Sequence, residues 1–260
     1  MKRWIVAAAA IACACSPPPA RDGAEAEANA APALAAVTLP VADDAGNRME
    51  ALTQSGARWC TSDGAWCLET EGDTPPRVIR GAGAISLPGA EATHAPWNLI
   101  VRTGAESALV GVVATDQQMY SGGSASAEQL ILFEVRSGAA REVARLPLGG
   151  RAEIRACFDA DDETQRAGAC KDEYSFVTRI SLGEGGASGA PRLVLETAAG
   201  SYPGRVTRSA DSLARTPLSE SDLVWAADET CSYRRTYARG ADGAYAPDQP
   251  LPACSNYLEP

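Results

Sequence analysis

Histidine and lysine are almost absent from this chain of 260 residues, which has one histidine and carries lysine only at positions 2 and 171. A histidine-based zinc site or a Ser-His-Asp triad would therefore depend on His94 alone. The neighbouring Pro96 predicts that His94 lies in a surface turn instead. The patterns G-x-S-x-G, S-x-x-K and C-x-x-C are absent as well, so the sequence carries no signature of the common serine hydrolases or thiol redox enzymes.

Acidic residues also outnumber basic residues. The chain has 23 basic and 33 acidic residues, which gives a formal net charge of −10. Nucleic acids and anionic lipid surfaces are bound by basic surfaces. We therefore expect no nucleic-acid partner.

Long apolar runs and helical periodicity are missing from most of the chain. The longest clear apolar run after the first residues is 108–114, far shorter than a membrane-spanning helix. Residues alternate between apolar and polar in several short segments, which is typical of half-buried strands. The predicted strands are 98–102, 108–114, 129–136, 141–148, 153–158, 174–182, 192–197 and 232–238, and one helical turn is predicted within 219–225.

Short strands separated by frequent Gly/Pro turns predict an all-β fold. An antiparallel β-sandwich is favoured. A small β-propeller or a barrel is the alternative, although no repeated motif of the kind that propeller blades show is present.

The first residues form an export-type segment. Lys2 and Arg3 precede an apolar stretch at 4–14, and Cys15 follows at a small-residue processing site. A basic start with a short apolar run is typical of a secretory signal. The segment resembles a bacterial lipoprotein signal, in which cleavage precedes a cysteine that then carries the lipid. That resemblance implies lipidation of Cys15 and a membrane-anchored protein at the periplasmic face or the outer membrane.

The resemblance is incomplete, because Ala12 stands where the lipoprotein pattern prefers Leu, Val or Ile. Residues 12–14 also fit the A-x-A site of an ordinary secretory signal, which would release a soluble protein. Cysteine counting favours the lipid. Cleavage before Cys15 leaves seven of the eight cysteines, and lipidation of Cys15 leaves six to form bridges.

These observations divide the chain into three parts. Residues 1–14 are predicted to be the signal peptide. Residues 15–48, rich in Ala, Pro and Glu, are predicted to be a lipidated N-terminus and a disordered tether, since this composition buries little apolar surface. Residues 49–260 are predicted to form a single β domain held by disulfides.

Six cysteines permit fifteen pairings, and we predict nearest-neighbour bridges. The Asp63-Gly64 pair predicts a two-residue type I′ turn, which places Cys60 opposite Cys67. The other predicted bridges, Cys157–Cys170 and Cys231–Cys254, each enclose one loop.

An acidic loop lies between Cys157 and Cys170. Alternating carboxylates on a constrained loop suit a calcium ion, so the candidate ligands are Asp159, Asp161, Asp162 and Glu163. The EF-hand pattern is not met, because Thr164 stands where that pattern requires glycine. The alternative is a solvated acidic loop with no metal, and the chain shows no other sign of a cofactor.

One cluster has the composition of a protein-binding surface. Arg235 lies between Tyr233 and Tyr237, and on a strand these three side chains share one face. Tyrosine and arginine dominate binding hot spots. The alternative is that the tyrosines pack inward and Arg235 reaches an acidic residue at an edge.

Two functions remain open from the sequence. The first is a membrane-tethered β domain that binds or supports an envelope protein or polymer without catalysis. The second is an extracytoplasmic hydrolase that uses an Asp/Glu pair distant in sequence. A close pair of carboxyl groups in a cleft, with one pKa raised, would favour the hydrolase.

Overall fold

The computed structural model describes residues 30–184, 189–204 and 206–260, and within these ranges the protein is nearly all β. The strands are β1 (Val41–Ala42), β2 (Arg48–Ala51), β3 (Thr53–Ser55), β4 (Arg58–Cys60), β5 (Cys67–Glu69), β6 (Arg77–Arg80), β7 (Gly83–Ser86), β8 (Ala95–Gly104), β9 (Ser107–Tyr120), β10 (Gly123–Arg136), β11 (Ala139–Arg155), β12 (Lys171–Leu182), β13 (Leu193–Tyr202), β14 (Ala226–Ala227), β15 (Arg234–Arg239) and β16 (Tyr245–Pro247). The helices are short: α1 (Ala160–Gln165), α2 (Ser255–Leu258) and one 3-10 turn (Glu220–Asp222).

The strands form two antiparallel sheets. The larger has eleven strands in the order β1-β2-β8-β9-β10-β11-β12-β13-β15-β16, with β14 also paired to β13. The smaller has the order β3-β4-β5-β6-β7. This confirms the all-β antiparallel prediction, and within the described ranges neither sheet closes into a barrel.

The smaller sheet packs against one face of the larger. Their shared core contains Trp66 and Leu68 from β5 and its preceding turn, with Ile131 and Phe133 from β10. Side chains alternate across a strand. The intervening Leu132 accordingly belongs to a different core.

That second core lies between two groups of strands of the larger sheet. Leu109, Leu130 and Leu146 of β9–β11 pack with Leu193 and Leu195 of β13. The strands after β11 therefore lie across one face of β8–β11. The smaller sheet covers the opposite face.

A third core holds the C-terminus. Helix α2 places Tyr257 against Tyr174 and Phe176 of β12. A Cβ atom at Gly150 would lie 2.1 Å from the backbone oxygen of Tyr257. Glycine is therefore required there for α2 to reach the sheet.

All three predicted disulfides are present: Cys60–Cys67, Cys157–Cys170 and Cys231–Cys254. Cys60 pairs with Cys67 in the ladder as the sequence predicts. The predicted type I′ turn is wrong, because it needs positive φ at both central residues and only Gly64 has it, at 66°. Instead, Gly64 N–H donates to the Thr61 carbonyl (2.9 Å), and the Asp63 carboxylate accepts from the backbone N–H of Ala65 (3.0 Å).

Several element predictions need correction. The predicted strand at 153–158 is the end of β11, which stops at Arg155. The bridged acidic loop contains helix α1. Part of the predicted tether also has a place in the fold, since β1 pairs with β2 and residues 32–39 lie against the larger sheet. Residues 1–29, including the signal segment and Cys15, lie outside the described ranges.

Candidate binding groove

An apolar groove of about 720 Å³ opens where β11 and β12 part. One wall contains Trp97, Leu99 and Leu148, and the opposite wall is formed by residues 177–180 of β12. Residues 32–39 form a third wall, and Trp59 of the smaller sheet also reaches the groove. This volume is within the range of pockets that bind small molecules.

The groove exists because the pairing of β11 with β12 is short. The two strands are paired only between residues 149–155 and 171–177, while β12 continues to Leu182. At the same point β11 has a bulge. Glu128 pairs with Gly149 and Gln129 pairs with Pro147, which leaves Leu148 without a partner on β10. A bulge bends its strand and redirects a side chain, and Leu148 lines the groove.

The floor of the groove is set by close packing of an indole on a glycine. A Cβ atom at Gly111 would lie 2.6 Å from Leu130 Cδ1 and 3.1 Å from both Cβ and Cε3 of Trp97. The indole thus occupies the space above β9 where a larger side chain would stand. Trp97 is almost fully buried, whereas Leu99, Val113 and Leu148 are half-buried around the opening.

The wall formed by residues 32–39 is held mainly by apolar contact. This segment has no regular secondary structure. Arg179 Nη1 donates to the Ala35 carbonyl (2.6 Å), and Leu39 packs against the central core. Within the described part of the chain, Thr178 Oγ1 and Arg179 Nε are buried without a hydrogen-bond partner. A buried unsatisfied group is costly, so Thr178 and Arg179 are points of incomplete polar pairing in the lining of the groove.

No protein-family model matches the chain, and neither the curated proteins nor the solved structures contain a match.

The predicted cluster around Arg235 is only partly available for binding. Tyr237 is 3% exposed and belongs to the central core, and its burial raises its pKa to about 12. Tyr233 is half-buried, with the Arg235 Cζ 5.2 Å from its ring centroid. Arg235 donates to backbone carbonyls, including that of Arg234 (2.8 Å). Tyr237 thus packs inward, as in the alternative considered from the sequence, and Tyr233 and Arg235 of the predicted cluster are half-buried.

The acidic loop uses its carboxylates to cap α1. Asp159 Oδ1 accepts from the backbone N–H groups of Asp161 (3.0 Å) and Asp162 (2.9 Å). Asp162 Oδ2 accepts from the N–H of Phe158 (2.8 Å). Within the described ranges, no three His, Cys, Asp or Glu side chains lie where they could hold a metal ion together. Two of the four predicted calcium ligands, Asp159 and Asp162, therefore accept hydrogen bonds from backbone N–H groups at the start of α1.

His94 and the two carboxyl groups with displaced pKa values, Asp63 and Glu69, take part in turns and ion pairs. His94 Nδ1 accepts from the Glu91 N–H (3.1 Å) within a turn, as the sequence predicts. The carboxyl groups of Asp63 and Glu69 do have displaced pKa values. Both are lowered, chiefly by hydrogen bonds from Arg102 and Arg58 respectively, which is opposite to the shift that a general acid needs.

The cysteine chemistry indicates the compartment. Three disulfides in one chain are typical of an oxidising, extracytoplasmic environment. Among the described residues, no helix is long and apolar enough to cross a membrane.

Sequence reasoning missed the groove. Its third wall comes from residues assigned to the tether, and its floor joins strands that are distant in sequence. The available signal was Leu34, Val37 and Leu39, which are larger apolar residues in an otherwise Ala- and Pro-rich stretch.

Proposed function

We propose that this protein is a lipid-anchored binding module of the bacterial envelope and that the groove between β11 and β12 holds an apolar chain of an envelope component. The observation that carries the proposal is the groove itself. It is apolar and partly open, and it is bounded by the segment that leads to the predicted lipid anchor.

The chain path supports a role close to the membrane. Residues 15–29 separate the predicted lipid from the first described residue. Fifteen extended residues span at most about 50 Å. An anchored Cys15 would therefore keep the groove within that distance of the membrane surface, where apolar ligands are concentrated.

The lining favours an apolar ligand over a sugar or a nucleotide. Trp59, Leu99 and Leu148 contribute hydrophobic surface, and residues 32–39 add mostly Ala, Leu, Val and Pro. Asn98, Thr178 and Arg179 are the lining residues with polar aliphatic side chains, so a polar polymer would replace few of the hydrogen bonds to water that it loses. A hydrocarbon chain or an apolar peptide segment would instead gain from removal of its surface from water.

The groove is tested with N-phenyl-1-naphthylamine, an uncharged apolar fluorophore, added to the full-length protein. We expect its fluorescence to rise on binding and tryptophan emission to fall, because Trp59 and Trp97 line the groove. Leu148→Glu should weaken probe binding about tenfold or more, since it places a charge on an apolar wall.

The matched control is Val224→Glu, which changes an apolar side chain that is 41% exposed and does not line the groove. Val224→Glu should leave probe binding unchanged, and both variants should keep the thermal transition of the parent. Equal loss in both variants, or no probe binding by the parent, would exclude the groove as the binding site. Competition by dodecanoate but not by an apolar peptide would identify a hydrocarbon chain as the ligand.

The lipid anchor has its own test. The intact mass of membrane-extracted protein should show a mature chain that begins at a diacylated Cys15. Cys15→Ser should prevent membrane association and leave the disulfides of the folded domain intact. A soluble product that starts at an unmodified Cys15 would refute the anchor and support the ordinary secretory signal.

A further inference from the structure

Among the described residues, the second half of β9 has a strand partner on one side only and so presents an open edge. Strand β8 pairs with β9 only as far as Val113, whereas β9 continues to Tyr120 in unbroken register with β10. Residues 115–120 are all exposed, and Met119 is 86% exposed. Residues 114–120 contain no lysine, proline or bulge, and Asp116 is the one charged side chain among them, so this edge has little of the protection that natural edge strands use.

The register identifies which backbone groups face outward. Tyr120 pairs with Gly123 across a two-residue turn, and in such a hairpin the closing pair is hydrogen-bonded. Alternation then directs the N–H and C=O groups of Thr115, Gln117 and Met119 to the open edge. Those of Asp116, Gln118 and Tyr120 point to β10.

A hollow of about 580 Å³ lies beside this edge. Its lining includes Ala114 and Asp116 of β9, Glu128 of β10, Arg145 and Pro147 of β11, and Leu251 and Leu258 near the C-terminus. Arg145 forms an ion pair with Glu142 (2.7 Å). Within the described residues, Asp116 and Glu128 take part in no ion pair. The edge therefore combines a row of backbone donors and acceptors with a mixed hollow. Pro147, Leu251 and Leu258 give the hollow apolar surface, and its one arginine, Arg145, is paired with Glu142, so Asp116 and Glu128 stay outside any described ion pair.

We infer that residues 114–120 of β9 form a strand-addition site for an extended segment of a partner protein, with a basic side chain opposite Asp116 and an apolar side chain in the hollow. Only a polypeptide backbone repeats donors and acceptors at the spacing of this edge. The charge argues for a different protein over a second copy, because two copies would bring together chains of net charge −10 and place no basic residue beside Asp116.

The experiment selects phage-displayed random dodecapeptides on the full-length protein. The affinity of the selected peptides is then measured for the parent protein, for Gln117→Pro and for Gln117→Ala. Gln117→Pro removes one outward N–H and leaves the bonds to β10 in place, since proline is tolerated on an edge strand whose N–H faces solvent. Gln117→Ala keeps that N–H. We expect selected peptides to alternate polar and apolar residues, to contain Lys or Arg, and to bind the parent and Gln117→Ala equally. Their affinity for Gln117→Pro should fall about tenfold or more.

Hydrogen exchange of the parent protein gives an independent readout that does not rely on a variant. Bound peptide should protect the amides of Thr115, Gln117 and Met119 and leave those of Asp116, Gln118 and Tyr120 unchanged. Absence of selected peptides, equal binding to Gln117→Pro, or protection without this alternation would overturn the site. A dimer of the free protein that Gln117→Pro dissociates and Gln117→Ala does not would overturn the choice of partner and assign the edge to a second copy.

Discussion

Replacing Asp172 with alanine is expected to destabilise the protein by about 3–5 kcal/mol, because it leaves a buried guanidinium without its counter-charge. The side chains of Arg166 and Asp172 are 2% and 5% exposed and form an ion pair. Arg166 Nε also donates to the Ala169 carbonyl (2.9 Å), and the Ser212 hydroxyl donates to the other Asp172 oxygen. Urea unfolding followed by circular dichroism measures the free energy of unfolding of the parent and the variant.

A neighbouring exposed ion pair supplies the control. Lys171 and Glu153 are 2.7 Å apart with side chains 59% and 44% exposed, so Glu153→Ala should cost less than about 1 kcal/mol. The double variant Arg166→Met/Asp172→Leu removes both buried charges and should recover much of the stability that Asp172→Ala loses. Similar losses for Asp172→Ala and Glu153→Ala would show that burial of the Arg166 pair has no special energetic role.

Local patterns allowed much of the fold to be predicted. Residues 174–182 alternate along most of β12, and the predicted strands at 129–136 and 141–148 lie within β10 and β11. Ser219 precedes the 3-10 turn, where its N–H donates to the Asp222 carboxylate (2.8 Å). In each case neighbouring residues determine the structure, so short-range rules are sufficient.

Features that depend on distant contacts could not be predicted. Residues 115–120 are exposed and residues 115–118 are polar, and they form a strand because β10 pairs with them. The ion pair of Arg166 and Asp172 also needs Ser212, which the fold brings from a separate loop. The groove needs the bulge at Leu148 together with residues 32–39. Each of these three features brings together segments that are far apart in sequence. A pattern of neighbouring residues therefore does not predict them.

Removing the Cys231–Cys254 bridge is expected to cost the most of the three disulfides. On the chain-entropy model a bridge stabilises more as its loop lengthens, and the sequence separations are 7, 13 and 23 residues for the three bridges in chain order. The model gives about 2.5, 3.0 and 3.5 kcal/mol respectively. Cys231 and Cys254 are also buried in the third core beside Tyr257, so their replacement leaves unfilled apolar space as well.

The double variant Cys231→Ala/Cys254→Ala should therefore lower the melting temperature by about 7–14 °C for a domain of this size. Cys60→Ala/Cys67→Ala is the matched control and should lower it less, because its hairpin loop is short. Calorimetry measures the melting temperatures of both variants and shows which bridge stabilises the protein more.

The longer bridge also connects the loop at Cys231 to the start of α2. Its loss should therefore release Tyr257 from Tyr174 and Phe176 and reduce the near-ultraviolet circular dichroism signal. A larger loss from the hairpin variant would contradict loop closure as the main source of stabilisation and would point to local packing around Trp66.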